Sequence, residues 1–450
     1  MPPQRLFGDG LARLPTLNAM VAQGLSGTLR SCHPPITVPA WQVMATSASP
    51  GRLGIYGFRH RKGPSYTQGW TPTSYAIRVP TIWDLIGRAG KRSCLVGVPP
   101  GYPPKPLKGW SVSCFLTPPD APRYTYPAEL RAEIEDLVGT YLFDVPFRIE
   151  DRDAVRDGLF EMTRRRFEVV RHLATTKPWD FLMVVEIGVD RLHHAFWKYF
   201  DRAHPTHEPG NRYEQVADDY YRLIDERIGE LVELLDDCVF LIVSDHGSKP
   251  MLGAFCINEW LAERGWLAVR ERLVRTVGLE GAGVDWSKTR AWGWGGYYAR
   301  IFLNVEGREP QGIVPADQYE RTRRQLTDDL RTITDASGNP LGVEVFRPED
   351  LYRVCRGDRP DLMVYLDDLN WRSAGTMGHG RVHLDENDTG PDGAVHSMDG
   401  VFIRYDPRRP RRGTVSGISL VDVAPTVLEL MGVGVPEEME GRPIAAARAR

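Results

Sequence analysis

The chain has 450 residues, of which 42% are apolar and 26% charged, and its formal net charge is −3. That length suits one large α/β domain carrying insertions or two ordinary domains, and so small a charge excludes a global field that gathers nucleic acid or an anionic membrane. No run approaches the roughly 20 apolar residues that span a bilayer, and the opening MPPQRLFGDG lacks the apolar core of a signal peptide.

In chain order, the first informative segment is ITVPAW, where Thr37 stands in a β-to-turn stretch ahead of a helical run beginning near Ala40. Residues 63–146 are rich in proline and aromatics and poor in periodicity, which predicts elaborated loops walling a pocket, interrupted by one strand-like run, SCLVGV near Cys94. A helix is predicted from Ala154 to Ala174 with Leu159, Met162, Phe167 and Val170 inward. The apolar run DFLMVVEI from Asp180 follows. Then comes a second helix, Glu214 to Leu235, leading straight into the run CVFLIVS from Cys238. Residues 247–294 read as another insertion, holding the short amphipathic helix INEWLAERGWL. Three further strand-like runs follow: RIFLNV from Arg300, DLMVYL from Asp361 and GVFIRY from Gly400. A last helix after Pro425 stops at Gly432. Alternating strands and helices without a linker predict a single α/β domain: a mostly parallel central sheet covered by helices on both faces. Six scattered cysteines without a CxxC pair or disulfide-like spacing indicate a reducing, cytoplasmic setting.

Metal-type side chains collect where predicted strands end, which is where open α/β sheets carry their sites. Asp190 follows one strand and His194 lies four residues on, so a helix starting there puts both on one face. Asp245 and His246 end a second strand, and Gly247 permits the turn that lets both reach one ion. His396 precedes a third. Each has an ordinary alternative: a helical ion pair, turn chemistry, or a structural histidine. Together they supply two carboxylates and three imidazoles, a set that favours metal. Thr37 has two readings as well. A hydroxyl at a helix N-terminus suits attack on phosphate beside main-chain N–H groups, and threonine is also a common helix cap.

These segments resemble the type I phosphodiesterase/nucleotide pyrophosphatase branch of the alkaline-phosphatase superfamily, which includes bacterial phosphohydrolases and phosphomutases. The resemblance covers nearly the whole chain, through LPTLNAMVAQG, PPITVPAW, SPGRLGIYGF, GVDRLHHAFW, VSDHG, INEWLAERGWL, YYARIFLNVEGREPQGIV, HSMDGVFI and LVDVAPTVLELMGVGVPEEMEGRPI in order. It implies a hydrolase that cleaves a small-molecule phosphodiester or nucleotide pyrophosphate through a phospho-threonine at Thr37, with no nucleic-acid polymer as partner. It also implies two divalent metal ions, usually zinc, with manganese or iron as alternatives. By the resemblance, Asp190, His194 and His396 hold one ion, while Asp245, His246 and the Thr37 oxygen hold the other. The second ion lowers the Thr37 hydroxyl pKa, and the pair clamps the phosphoryl oxygens during in-line displacement. The backbone N–H of Val38 contributes to phosphate binding.

The chain departs from the family pattern at two places. Family members begin with a buried strand ending in a metal-ligating Asp, and MPPQRLF resembles the segment just after it; Asp9 in FGDG is a weak substitute. The expectation is a start codon assigned too late, with roughly 10–20 residues more in the real protein, enough for a strand and its flanks; the other reading is a weakened second metal site. Ala40 stands where nucleotide pyrophosphatases carry an Asn three residues after the nucleophile, which removes one side-chain donor. Trp41, Tyr56, Phe58, Trp292, Trp294 and Tyr297 are candidate pocket walls, with core the expected role for at least half. A phosphomonoesterase, a phosphomutase (related mutases use Ser at the Thr37 position) and a catalytically impaired binding protein are the alternatives. A sulfatase is set aside because Cys32 is followed by HPPI.

Overall fold

All six apolar runs form strands, and the computed structural model describes residues 1–445. These residues group into two units: Met1–Leu53 with Pro72–Ser248 and the chain from Ser397 onward, and Gly54–Thr71 with Lys249–His396. In the first unit the order is α1 (Pro15–Gln23), β1 (Leu25–Arg30), α2 (Thr37–Thr46), α3 (Ile82–Arg88), β2 (Ser93–Val96), β3 (Gly109–Val112), β4 (Thr125–Tyr126) and α4 (Leu130–Val138). Then follow α5 (Arg152–Thr176), β5 (Phe181–Val184), α6 (Gly188–Phe200), α7 (Val216–Leu234), β6 (Phe240–Val243), β7 (Asp399–Tyr405), β8 (Gly413–Thr414), β9 (Ile418–Ser419) and α8 (Val423–Leu430).

The α/β class holds, with two sheets in this unit. One has the order β8-β1-β7-β6, with β9 also on β1; the other has the order β4-β3-β2-β5. Parallel pairing joins β3, β2 and β5. β7 runs antiparallel to both its neighbours, β1 and β6. Leu159, Met162, Phe167 and Val170 of α5 are all buried, as their helical spacing predicts. Residues 63–146 carry more regular structure than their composition indicates: besides the expected β2, α3, α4, β3 and β4 lie there. Strands of two to four residues are too brief to leave a periodic trace. α3 itself opens on a reciprocal capping box between Thr81 and Asp84.

β5 and β6 are only half-buried along their whole length, although FLMV and FLIV are among the most apolar segments of the chain. Each pairs on one side alone, β5 with β2 and β6 with β7. Phe181, Met183, Leu241 and Val243 pack with the cluster of α2 and α8, while Leu182 and Val184 pack with α5 and Leu231 of α7. Among the described residues no helix is long and apolar enough to cross a membrane, and the six cysteines are free thiols.

The second unit is built on an antiparallel sheet that orders Ala291–Trp294, Ala299–Leu303, Leu362–Tyr365 and Glu344–Phe346. Helix Tyr319–Leu330 contributes Leu326 and Leu330 to its core. The buried Glu309 takes Arg61 at 3.2 Å and Arg308 at 2.9 Å, and Arg308 also holds Asp361 at 2.6 Å. Every charge in that chain has an opposite partner, the condition under which buried ions are tolerated.

His60, buried in the same unit, accepts the Tyr56 N–H on Nε2 at 2.9 Å. Burial, with Arg300 adding to it, pushes its pKa from 6.5 down to about 3. The unfolded chain therefore binds a proton below pH 6.5 that the native chain refuses until about pH 3, so stability falls as the solution is acidified through that window. The expected slope is up to about 1.4 kcal/mol per pH unit. Urea unfolding at several pH values should show a shallower acid loss for His60→Gln than for the wild type; equal slopes would refute the assignment.

Candidate active site

Thr37 is the first helical residue of α2, and the cap is Ile36, extended at φ −121° and without a side-chain cap bond. The Thr37 hydroxyl is thus not consumed in capping. It lies instead 3.2 Å from His246 Nε2, and both residues are buried. His246 Nδ1 sits 2.9 Å from the carbonyl of Gly247, which only an N–H can satisfy. That bond places a proton on Nδ1, with Nε2 facing Thr37. Val38 follows in the first turn, fully buried, where helical N–H groups have no partner in the helix itself.

The ends of β5 and β6 deliver the other groups. α6 opens at Gly188, where an added Cβ would stand 1.9 Å from the Tyr220 hydroxyl. Glu186 Oε1 accepts the Gly188 N–H at 2.7 Å and Arg166 at 2.7 Å, which anchors the helix start. Asp190 and His194 then share one face of α6, 3.4 Å apart. Arg191 Nη1 reaches Asp190 at 3.0 Å, and its remaining fork is spent on Asp144 through two bonds of 2.7 Å.

Asp245 follows β6 and lies 3.2 Å from His246. Ser31 donates to its carbonyl at 2.6 Å. Gly247 is required by close packing, since a Cβ there would lie 2.0 Å from the Asp399 carbonyl. His396, the residue before the chain re-enters this unit at Ser397, is buried and stacks on Tyr297 with ring centroids 3.9 Å apart.

Within the first unit, Asp190 with His194 and Asp245 with His246 stand beyond the carboxyl ends of β5 and β6. Phe147 lies against the His194 ring at 5.5 Å. Burial raises the Asp245 carboxyl above its ordinary range; His246 pulls against that and the Asp190 charge adds to it. Asp245 Oδ2 is buried without a hydrogen bond among the described residues. A buried carboxylate oxygen left without a donor, next to a second carboxylate and imidazole nitrogens, suits a divalent cation. Asp9 begins a short 3-10 turn, Asp9–Arg13, and its side chain lies outside the described structure.

His193, beside His194, turns away from this cluster as the helical spacing implies. It meets Ser248 Oγ at 2.9 Å and the Tyr221 hydroxyl at 2.5 Å, tying α6 to α7 and to the segment after Asp245. Sequence reasoning missed this brace along with Glu186, Arg166 and Asp144. The available signal was polar residues set inside apolar runs, as in VVEIG. Of the aromatic candidates, Trp41, Tyr56 and Trp292 are core.

The sequence profile of the type I phosphodiesterase / nucleotide pyrophosphatase family matches residues 3–393. The fold is similar to that of phosphonoacetate hydrolase from Sinorhizobium meliloti 1021, solved with phosphonoformate, at a TM-score of 0.59 and 17% identity over 94% of this chain and 91% of that one. It is similar also to murine ectonucleotide pyrophosphatase / phosphodiesterase 5, at a TM-score of 0.53 and 12% identity over 97% and 94% of the two chains. A stretch of 142 residues is 36% identical to 2,3-bisphosphoglycerate-independent phosphoglycerate mutase of Pseudomonas savastanoi pv. phaseolicola (strain 1448A / Race 6). That stretch covers 30% of this chain and only 26% of the mutase. With a profile that runs through most of its length, the chain belongs to the type I phosphodiesterase / nucleotide pyrophosphatase family.

Proposed function

We propose that this protein cleaves a small phosphodiester or nucleotide pyrophosphate-type bond through a covalent phospho-threonine on Thr37. The observation that carries the reading is the Thr37 hydroxyl 3.2 Å from His246, which itself lies 3.2 Å from the Asp245 carboxylate. Asp190, His194 and His396 would hold one divalent cation, and Asp245, His246 and the Thr37 oxygen a second. The mixed carboxylate and imidazole set suits zinc, with manganese and iron compatible. Bound there, the cations supply neutralising charge for the transferring phosphoryl group and acidify the Thr37 hydroxyl.

The chain's own residues do the remainder. The Gly247 carbonyl holds the proton on His246 Nδ1 and so orients the ring with Nε2 on the side of Thr37. Thr37 Oγ1 gives up its proton and forms the new bond to phosphorus as the ester bond on the opposite side breaks, and the departing oxygen takes up one proton in return. Water then attacks the phosphorus of phospho-Thr37, which restores the hydroxyl and releases phosphate or a phosphomonoester. The first turn of α2 directs the Val38 N–H and the positive end of its dipole at the phosphoryl oxygens. Ala40 is fully buried in the same helix, so the side-chain donor found there in nucleotide pyrophosphatases is missing and the main chain carries more of the binding.

With zinc or manganese supplied, the purified protein should hydrolyse bis-p-nitrophenyl phosphate, and Thr37→Ala should lower kcat by about 10³-fold or more. Turnover indifferent to both EDTA and Thr37→Ala would refute the mechanism. Elemental analysis supplies a separate check, since Asp190→Asn and Asp245→Asn should each lower the metal content, and wild-type metal content in both would remove the ligand assignment. The local match to a phosphoglycerate mutase favours one second reading, return of the phosphoryl group to another hydroxyl of the substrate. Turnover in labelled water separates the two, because only hydrolysis places the label in the released phosphate.

A further inference from the structure

In the second unit, Arg372 lies on the strand Trp371–Ala374, which pairs in parallel with Gly253–Cys256. The residue is only 8% exposed, and its Nε and Nη1 are enclosed without a hydrogen-bond acceptor among the described residues. Asp392, whose side chain is wholly buried, stands 3.7 Å from Nη1. That is close enough to balance the charge and too far for a hydrogen bond. Asp392 Oδ1 accepts the Ala394 N–H at 3.2 Å instead. Arg372 Cζ lies over the Tyr297 ring, 4.8 Å from its centroid, and the same ring stacks on His396 at 3.9 Å. A contact with an aromatic face takes up no N–H. Other arginines of this unit are spent: Arg61 grips Asp358 through two bonds of 2.6 Å, and Arg308 grips Asp361 at 2.6 Å. Buried donors left unused are costly, and a guanidinium carries five of them in a rigid plane.

We propose that Arg372 binds a second anionic group of the substrate, a carboxylate or a phosphate other than the one under attack. This rests on the reading of His396 as a metal ligand, because His396 is what places Arg372 near the chemistry. The two residues share one aromatic neighbour, so an anion held by Arg372 lies a short linker away from a phosphoryl group bound beside His396. Carboxylate and phosphate match the guanidinium fork, two oxygens against two N–H donors. Asp392 balances the buried charge without occupying a donor. An incoming anion therefore gains hydrogen bonds and breaks none. The Tyr297 face supports the plane of the fork without competing for it. The substrate class that follows is a phosphate ester with two anionic ends, such as a nucleotide pyrophosphate or a phosphorylated carboxylic acid, rather than a diester of two neutral alcohols.

The test is calorimetric titration of the zinc-supplied protein with 3-phosphonopropionate and with butylphosphonate, which share the phosphonate and differ in the terminal carboxylate. The wild type should bind the carboxylate-bearing compound about 10-fold more tightly or better. Arg372→Met should bring the ratio of affinities to about 1, and Arg372→Lys, a charge without the fork, should leave it between the two. Asp392→Asn removes the competing charge and keeps an oxygen for the Ala394 N–H, so its ratio should rise above that of the wild type. A gain of that kind does not come from misfolding. A wild-type ratio near 1 would overturn the proposal, as would a ratio that survives Arg372→Met or fails to rise in Asp392→Asn. No turnover enters the ratio, so the phospho-threonine step can fail while this subsite stands. Butylphosphonate affinity with and without zinc reports the metal site separately.

Discussion

Two carboxylates, Asp190 and Asp245, are brought together in the interior, and that constraint organises the surrounding structure. The Asp190 charge adds to the effect of burial in raising the Asp245 carboxyl. Like charges this close, away from water, are tolerated only beside a positive partner. Arg191 serves Asp190 in part, but its guanidinium is largely committed to Asp144. His246 is the group set against Asp245, and its Nδ1 proton is already given to a carbonyl. The balance of charge is left for whatever sits among the oxygens and imidazole nitrogens, and a divalent cation is the species with that charge and that preference for mixed donors.

Holding such a cluster open demands rigidity from neighbours that never touch substrate. Glu186 and Arg166 fix the first turn of α6, and Tyr220 fills the space that only Gly188 leaves. His193 links α6, α7 and the segment after β6 through both ring nitrogens, and burial holds its pKa well below the ordinary value, so it braces as a neutral ring. Ser31, on the loop before α2, secures the Asp245 main chain. These bonds set α2, α6 and the β6 end in one register, so the Thr37 hydroxyl from one segment meets carboxylates and imidazoles from two others. Positioning of this kind converts a scatter of polar residues into a site.

Much of this was legible in the sequence, and the failures have physical causes. The strand runs and the helices around Leu159 and Tyr220 declared themselves because their burial is periodic. Asp190 and His194 were readable as a helical pair from their spacing, and the geometry keeps them at 3.4 Å. Thr37 was not separable from a helix cap, because the decision lies in Ile36, whose extended backbone takes the cap position. The strands β3 and β4 escaped notice in a proline-rich stretch since two to four residues hold no period. The braces at Glu186 and His193 were hidden for another reason: their partners lie between 2 and 55 residues away, and only the fold brings the distant ones together.

The cavity of about 750 Å³ along β5 and β6 bears on chemistry as well as on stability. Asp190 is carried a few residues beyond β5 and Asp245 two residues beyond β6, so the gap between the strands sets the reach between the carboxylates. In the described structure that gap is maintained by helices on its two sides, without main-chain bonds across it. Helix packing is forgiving by fractions of an ångström, whereas a ladder of hydrogen bonds fixes spacing and register together.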